Sequence, residues 1–108
     1  MTEEFYSLAE DWRARKIFEY LKNNSPVSLE KLSNDLKISK DALMKRIREM
    51  GELKIVEIKR AIEFYEEVEK WKNPSKIFIF LKEGNESKKF EKILNVYKIR
   101  QENPQFYI

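Results

Sequence analysis

Cysteine and histidine are both absent from the 108 residues, and glycine occurs only twice. The chain therefore has no disulfide, no cysteine nucleophile, no imidazole acid–base group and none of the ligands of a structural zinc site. Two glycines are too few for a P-loop or a dinucleotide-binding fingerprint. The longest apolar run, 77–81, is far shorter than the roughly 20 residues that span a bilayer. We expect no metal, no cofactor, no membrane segment and no enzymatic activity.

Apolar and charged residues are both abundant, at 42% and 38% of the chain. This balance is typical of a globular protein with a highly charged surface, and the length predicts a single domain, 1–108. The acidic N-terminus lacks the apolar core of a signal peptide, so we expect a cytoplasmic protein. Many charges and few glycines also favour a thermophile. The net charge of +3 weakly favours a nucleic-acid partner.

Residues 1–23 carry two apolar stripes at helical spacing. The stripes are Phe5, Leu8, Ala9 and Trp12, and then Ala14, Ile17, Phe18 and Leu21. On one straight helix the two stripes point in nearly opposite directions. Either the C-terminal segment or a partner subunit covers the first stripe, or the helix breaks near residues 10–11 and both stripes turn inward.

Two short amphipathic helices are predicted next, each preceded by a serine that suits the N-cap position. Ser28 begins the first, which ends near Lys37, and Ser39 begins the second, which ends near Met50. Gly51 is then expected at the C′ position, where a positive φ is common. The apolar residues that predict the inward faces are Leu29, Leu32 and Leu36, then Leu43, Ile47 and Met50.

The hydrophobic pattern changes from helical to extended in the second half of the chain. Residues 54–59 and 76–82 predict two strands because they are rich in β-branched and aromatic side chains. Residues 60–74 fit a helix and an extended strand equally well. A last helix, capped by Ser87, is predicted to about residue 101. Its apolar face consists of Phe90, Ile93, Leu94 and Tyr97.

The order of these elements over residues 14–98 resembles the winged helix-turn-helix superfamily, in the form of small archaeal, bacterial or viral transcription regulators. The residues that carry the resemblance are SLEKLSNDLKISKDALMKRIREM at 28–50, GELKIVEI at 51–58 and IFIFLKEG at 77–84. Lys37 stands where many relatives have glycine, which predicts a lysine in the left-handed region.

The resemblance implies an α+β winged-helix fold with a three-helix core, a two- or three-stranded wing and a flanking helix at each end. The implied parts are an N-terminal extension at 1–13, the core and first wing strand at 14–60, the wing at 61–84, and the C-terminal helix and tail at 85–108. The span between the strands is longer than a simple wing, so the wing is extended or holds an extra helix.

The helix after Ser39 is the expected recognition helix, since the major groove of double-stranded DNA admits one α-helix. Its predicted contact residues are Ser39, Lys40, Asp41, Met44, Lys45 and Arg48. The cations suit phosphates or guanine edges, Asp41 suits the amino group of cytosine, and Met44 suits a thymine methyl. The alternative is that these residues form an ordinary solvated helix face.

The wing is expected to add contacts to the DNA backbone or minor groove through basic residues. These are Lys59, Arg60, Lys70, Lys72 and Lys76. The alternative is a charged hairpin edge that prevents pairing between sheets.

A homodimer is also expected, because the flanking helices are rich in aromatic residues, which are enriched at interfaces. The predicted interface residues are Phe5, Leu8, Trp12, Phe90, Leu94 and Tyr97, and the alternative is that these side chains form the core. The sequence therefore predicts a sequence-specific DNA-binding regulator. The alternative function is a winged-helix module that binds proteins and not DNA, which the acidic N-terminus and the acidic segment 61–72 favour.

Overall fold

Helices and a small antiparallel sheet form an α+β fold in the computed structural model, which describes residues 2–61 and 76–102. Five helices and three strands lie in these ranges. They are α1 (Thr2–Ala9), α2 (Trp12–Asn24), β1 (Val27–Ser28), α3 (Leu29–Leu36), α4 (Lys40–Glu52), β2 (Val56–Arg60), β3 (Ile77–Leu81) and α5 (Asn85–Glu102). Of the ambiguous segment 60–74, Arg60 belongs to β2, and residues 62–74, which include Lys70 and Lys72, lie outside the described residues.

The N-terminal helical region breaks at residues 10–11, as one of the sequence-based alternatives predicted. Asp11 is the N-cap of α2, and its Oδ1 accepts a hydrogen bond from the backbone N–H of Arg13 at 2.8 Å. Arg15 donates from Nη1 to the carbonyl oxygen of Ala9 at 2.7 Å, which satisfies a carbonyl at the end of α1. The change of direction lets both apolar stripes contribute to one core.

The first stripe packs against α5 of the same chain. The ring centroids of Phe5 and Phe90 are 6.4 Å apart, and Phe90 meets Phe18 edge to face at 5.2 Å. Leu8 and Leu94 are buried in the same cluster. Phe5, Leu8, Phe90 and Leu94 are therefore core residues of the chain itself, which corrects their assignment to a dimer interface. Covering them within one chain removes their apolar surface from water without a partner.

The two remaining residues of the predicted interface have different environments. Tyr97 is half-buried and packs against the core, so the predicted apolar face of α5 holds as far as this residue. Trp12 leaves 45% of its surface exposed, which makes it one of the large apolar side chains that the core does not cover.

The α3–turn–α4 unit follows the capping pattern of the sequence. The hydroxyl of Ser28 accepts from the N–H of Lys31 at 3.2 Å, and that of Ser39 accepts from the N–H of Ala42 at 3.3 Å. Between them, Lys37 has φ 57° and ψ 43°. The N-caps predicted at Ser28 and Ser39 and the left-handed conformation predicted for Lys37 are confirmed.

The end of α4 differs from the prediction. The helix continues through Gly51 to Glu52, and the residue with positive φ is Lys54, at 63°. The N–H of Ile55 donates to the carbonyl of Met50 at 2.9 Å, and the N–H of Lys54 donates to that of Gly51 at 3.0 Å, which is a Schellman ending. The prediction of Gly51 at C′ is wrong because the later ending buries Ile55 in the core.

The sheet has the order β1-β3-β2, and both pairings are antiparallel. Ile79 of β3 lies opposite Val27 of β1 and opposite Ile58 of β2. Both predicted strands are present, and β1 gives a three-stranded sheet. The N–H of Ala61 donates to the carbonyl of Lys76 at 2.8 Å, so the β2–β3 ladder continues to the last described residues on either side of the gap.

Ser87 lies inside α5, which begins at Asn85, so the prediction that it is an N-cap is wrong. Its buried hydroxyl donates instead, lying 3.0 Å from the carbonyl oxygen of Ile55 and also within hydrogen-bond distance of that of Lys82. The N–H of Lys82 donates to the same Ile55 carbonyl at 3.0 Å. Ser87 therefore joins α5 to the end of β3 and the start of β2.

Candidate nucleic-acid interface

Helix α4 is fixed in the fold by an apolar inner side. Leu43, Ile47 and Met50 are all fully buried, at the spacing that the sequence indicated. Helix α4 packs against α2, α3 and β2. Because these buried residues anchor one side of α4 in the core, the opposite side of the helix faces solvent in a defined orientation.

Most of the predicted recognition residues lie on exposed parts of α4 or its N-cap. Ser39, Lys40, Asp41, Lys45 and Arg48 are all exposed. The Nζ atom of Lys40 is 3.9 Å from a carboxylate oxygen of Glu30 on α3, so this cation is partly neutralised.

Met44 has a different environment from the other predicted contact residues. It is half-buried and packs against the core, so only part of its side chain faces solvent. Any contact with a partner is therefore restricted to the exposed part of this side chain.

The centre of the exposed side is a single stripe of charges. Asp41, Lys45, Arg48 and Glu52 follow one another at spacings of four, three and four residues, which places them on one face of the helix. Lys45 and Arg48 have no ion-pair partner among residues 2–61 and 76–102. Glu52 was not among the predicted contact residues, although its helical spacing from Lys45 and Arg48 identifies it. The stripe is therefore basic at its centre and acidic at both ends, and we call it the α4 outer stripe.

The remaining basic residue of α4, Arg46, is directed toward the N-terminal helices instead. Its Nε lies 2.7 Å from Oδ2 of Asp11, and its Nη1 lies 2.9 Å from Glu49. The side chains of Arg46 and Asp11 are each only 20% exposed. Asp11 thus caps α2 with one carboxylate oxygen and holds α4 with the other. Sequence reasoning missed this pair because the partners are far apart in the chain.

The basic residues of the predicted wing divide between described and undescribed segments. One face of the sheet carries Phe78, Phe80 and two of these lysines. Lys59 lies on it because it is the antiparallel partner of Phe78. Lys76 lies on it because every second residue along a strand points to the same face. The Nζ of Lys59 is 5.4 Å from the Phe80 ring centroid, and that of Lys76 is 5.8 Å from the Phe78 centroid. Arg60 is exposed on the opposite face. The ammonium groups of these two lysines thus lie beside aromatic rings at cation–π distances.

Within the described ranges, no cluster of three or more acidic side chains is arranged to hold a metal ion. In the same ranges, no helix combines the length and the apolar character needed to cross a membrane. The sequence was also compared with protein-family models and with curated proteins, and neither comparison found a match.

Proposed function

We propose that this chain is a winged helix-turn-helix protein that binds double-stranded DNA and regulates transcription through α4. The observation that carries the proposal is the α4 outer stripe. Lys45 and Arg48 are exposed and have no ion-pair partner in the described part of the chain, on a helix whose opposite side is buried in the core. The fold therefore presents two exposed cations side by side on one face of a helix that the core anchors.

The elements around α4 support the same proposal. The left-handed Lys37 makes a tight turn between α3 and α4, and the β2–β3 pair follows α4 directly. The three-stranded sheet of order β1-β3-β2 is compatible with the two- or three-stranded wing that the resemblance implies. A helix after a tight turn is the element that helix-turn-helix proteins insert in the major groove.

The mechanism is recognition by one helix face. Lys45 and Arg48 contact phosphates or guanine edges, and Asp41, near the N-terminus of α4, accepts from the amino group of cytosine. Phosphate contacts set the register of the protein, and base contacts set its sequence preference. The protein then activates or represses transcription by occupying its site.

A homodimer would place two α4 helices about 34 Å apart, which is one turn of DNA, on a palindromic site.

Fluorescence anisotropy with a random-sequence duplex, measured across a salt series, tests this function. We expect binding that weakens steeply with salt, because phosphate contacts release counterions. The double variant Lys45→Glu/Arg48→Glu should weaken binding, and its log–log salt slope should be smaller by about 2 if each residue contacts one phosphate.

The matched control is Lys88→Glu/Lys92→Glu, which makes the same charge change on two exposed residues of α5. Equal weakening by both double variants would show a non-specific charge effect and contradict a recognition role for α4. Absence of salt-dependent binding would contradict DNA binding itself. The protein-interaction alternative would then be tested with Glu3→Lys/Glu4→Lys, since both glutamates are exposed on α1.

A further inference from the structure

A cleft with a volume of about 710 Å³ opens between α2, the end of α3 and α5. Small-molecule sites in proteins have about 300–1,000 Å³ and combine apolar walls with a few polar groups. One face of α2 forms the largest part of this cleft. Among its lining residues are Trp12, Lys16, Tyr20, Asp35, Leu36 and Leu94.

The apolar part of the cleft includes the exposed indole of Trp12. This side chain is 45% exposed, whereas the other members of its stripe are buried. Leu36 and Tyr20 are half-buried and contribute further apolar surface from α3 and α2. Leu94 contributes from α5. An apolar surface of this kind gains stability when a ligand removes it from water.

The charged groups of the cleft are unequally neutralised. Asp35 accepts a hydrogen bond from the Tyr20 hydroxyl and lies 3.3 Å from Lys31. Glu19 lies 3.8 Å from Lys22, which also pairs with Glu91 at 3.0 Å. Arg15 donates to the carbonyl of Ala9, a neutral acceptor that does not compensate its charge.

Lys16 likewise has no carboxylate partner among residues 2–61 and 76–102, and its Nζ lies 5.3 Å from the centroid of the Trp12 ring. The cleft therefore holds two cations without an ion-pair partner in the described residues, Arg15 and Lys16, and Lys16 lies beside an exposed aromatic ring.

We propose that this cleft binds a small aromatic carboxylate, with the ligand ring against Trp12, Leu36 and Leu94 and the carboxylate at Lys16. Leu36 is the last residue of α3 and directly precedes the left-handed Lys37 that leads to α4. An occupied cleft therefore contacts the segment that orients the recognition helix, so the ligand is an effector. This effector role rests on the proposed DNA-binding function, whereas binding of the carboxylate does not.

Binding is tested by titrating the ¹⁵N-labelled full chain with 2-naphthoate and recording ¹H–¹⁵N correlation spectra. The sequence contains two tryptophans, so Trp71→Phe assigns the two indole N–H signals. We expect saturable shifts of the Trp12 indole signal and of the backbone amides of Leu36 and Leu94. The uncharged 2-naphthamide has nearly the same shape, and it should bind several-fold more weakly because it cannot pair with Lys16.

The variant Lys16→Gln should weaken 2-naphthoate binding about threefold, which is the scale of an exposed ion pair, and should leave 2-naphthamide binding unchanged. Lys92→Gln, an exposed lysine of α5 outside the cleft, is the control. Equal affinity for acid and amide, an unaltered affinity in Lys16→Gln, or shifts that avoid Trp12 would each overturn the proposal.

The effector role is tested separately by repeating the DNA titration with saturating 2-naphthoate. A several-fold change in DNA affinity that Lys16→Gln reduces would support it. Saturable binding at the cleft with an unaltered DNA affinity would overturn the effector role alone. If the chain binds no DNA, the NMR titration still decides whether the cleft binds the carboxylate.

Discussion

Arg46 lies between Lys45 and Arg48 in the sequence, yet the fold gives these neighbours opposite environments. Arg46 is 20% exposed and is held by Asp11 and Glu49. Lys45 and Arg48 are exposed, and no described residue forms an ion pair with them. A helix turns by about 100° per residue, so adjacent basic residues face different surroundings. The first environment holds helices together, whereas the second leaves charge for a partner.

Within α4, the residue that stabilises the fold and the residues that are available to a binding partner therefore lie on different sides. A partly buried ion pair is costly to break, because removal of one charge leaves the other desolvated and unpaired. An exposed charge without a partner contributes almost nothing to the folded state. Variants that lower stability and variants that lower affinity should therefore fall on different sides of α4.

The largest expected effect is that of Arg46→Ala, which should lower the free energy of unfolding by about 2 kcal/mol, measured by chemical denaturation. The loss comes from leaving the half-buried Asp11 carboxylate unpaired. Asp11→Ser removes the charge but keeps an N-cap for α2. The double variant should give a coupling energy of about 1 kcal/mol between the two residues.

Lys45→Ala is the matched control on the α4 outer stripe. Its unfolding free energy should stay within about 0.5 kcal/mol of that of the original chain, as is usual for exposed positions. A destabilisation as large as that of Arg46→Ala would show that the α4 outer stripe also stabilises the fold. It would contradict the assignment of stability and binding to different sides of α4.

An intermediate effect of opposite sign is expected at Lys37, an exposed basic residue beside α4. Its φ of 57° is costly for a residue with a Cβ atom, and glycine avoids this cost. Lys37→Gly should therefore raise the free energy of unfolding by about 0.5 kcal/mol, since the greater entropy of glycine in the unfolded chain offsets part of the gain.

Lys40→Gly is the control for Lys37→Gly, because Lys40 begins α4 with helical backbone. It should destabilise the protein. A thermal shift in the same direction for both variants would contradict the backbone explanation.

The smallest effect is expected for the pair formed by the half-buried Tyr20 and the exposed Asp35. The hydrogen bond from Tyr20 holds the pKa of the Asp35 carboxyl below its usual value, and the Asp35 carboxylate raises the pKa of the Tyr20 phenol. The stabilisation by Asp35 is complete above its ordinary pKa of 3.8 and is lost as pH falls through the lowered pKa of the folded state.

Tyr20→Phe should raise the pKa of Asp35, followed by ¹³C NMR of the carboxyl group, and should make stability less dependent on pH in that acidic range. Lys31→Gln, which removes the second partner of Asp35, should also raise this pKa, since Lys31 lowers it through a hydrogen bond and through its charge, and the hydrogen bond from Tyr20 is the largest single cause of the shift. An unaltered Asp35 pKa in Tyr20→Phe would show that the hydrogen bond does not act on the carboxylate in solution.

The features that the sequence predicted correctly depend on neighbours within a few residues. Ser28 and Ser39 cap the helices that follow them, and Lys37 takes the left-handed conformation of the turn. The apolar spacing of α4 identified its buried side, and with it the exposed positions of Lys45 and Arg48. Local hydrogen bonds and helical periodicity are enough to determine these features.

The features that the sequence mispredicted depend on distant parts of the chain. Gly51 is not the C′ residue of α4, because the helix continues to Glu52 and Lys54 takes the C′ position, an ending that buries Ile55. Ser87 is not an N-cap, because its hydroxyl donates to carbonyls of Ile55 and Lys82. In each case a contact between separate elements outweighs a local preference.

The α3–turn–α4 unit and the outward side of α4 could be predicted from local sequence, because caps, a turn residue and apolar spacing act over one or two helical turns. The packing of distant helices selected which aromatic residues became core, and placed α5 over the first apolar stripe at Phe5 and Leu8. It also decided that Arg46 binds Asp11 and that a cleft opens beside Trp12. These contacts depend on how whole helices pack against one another. The hydrophobic effect is non-directional, so an apolar stripe in the sequence does not specify which other element covers it.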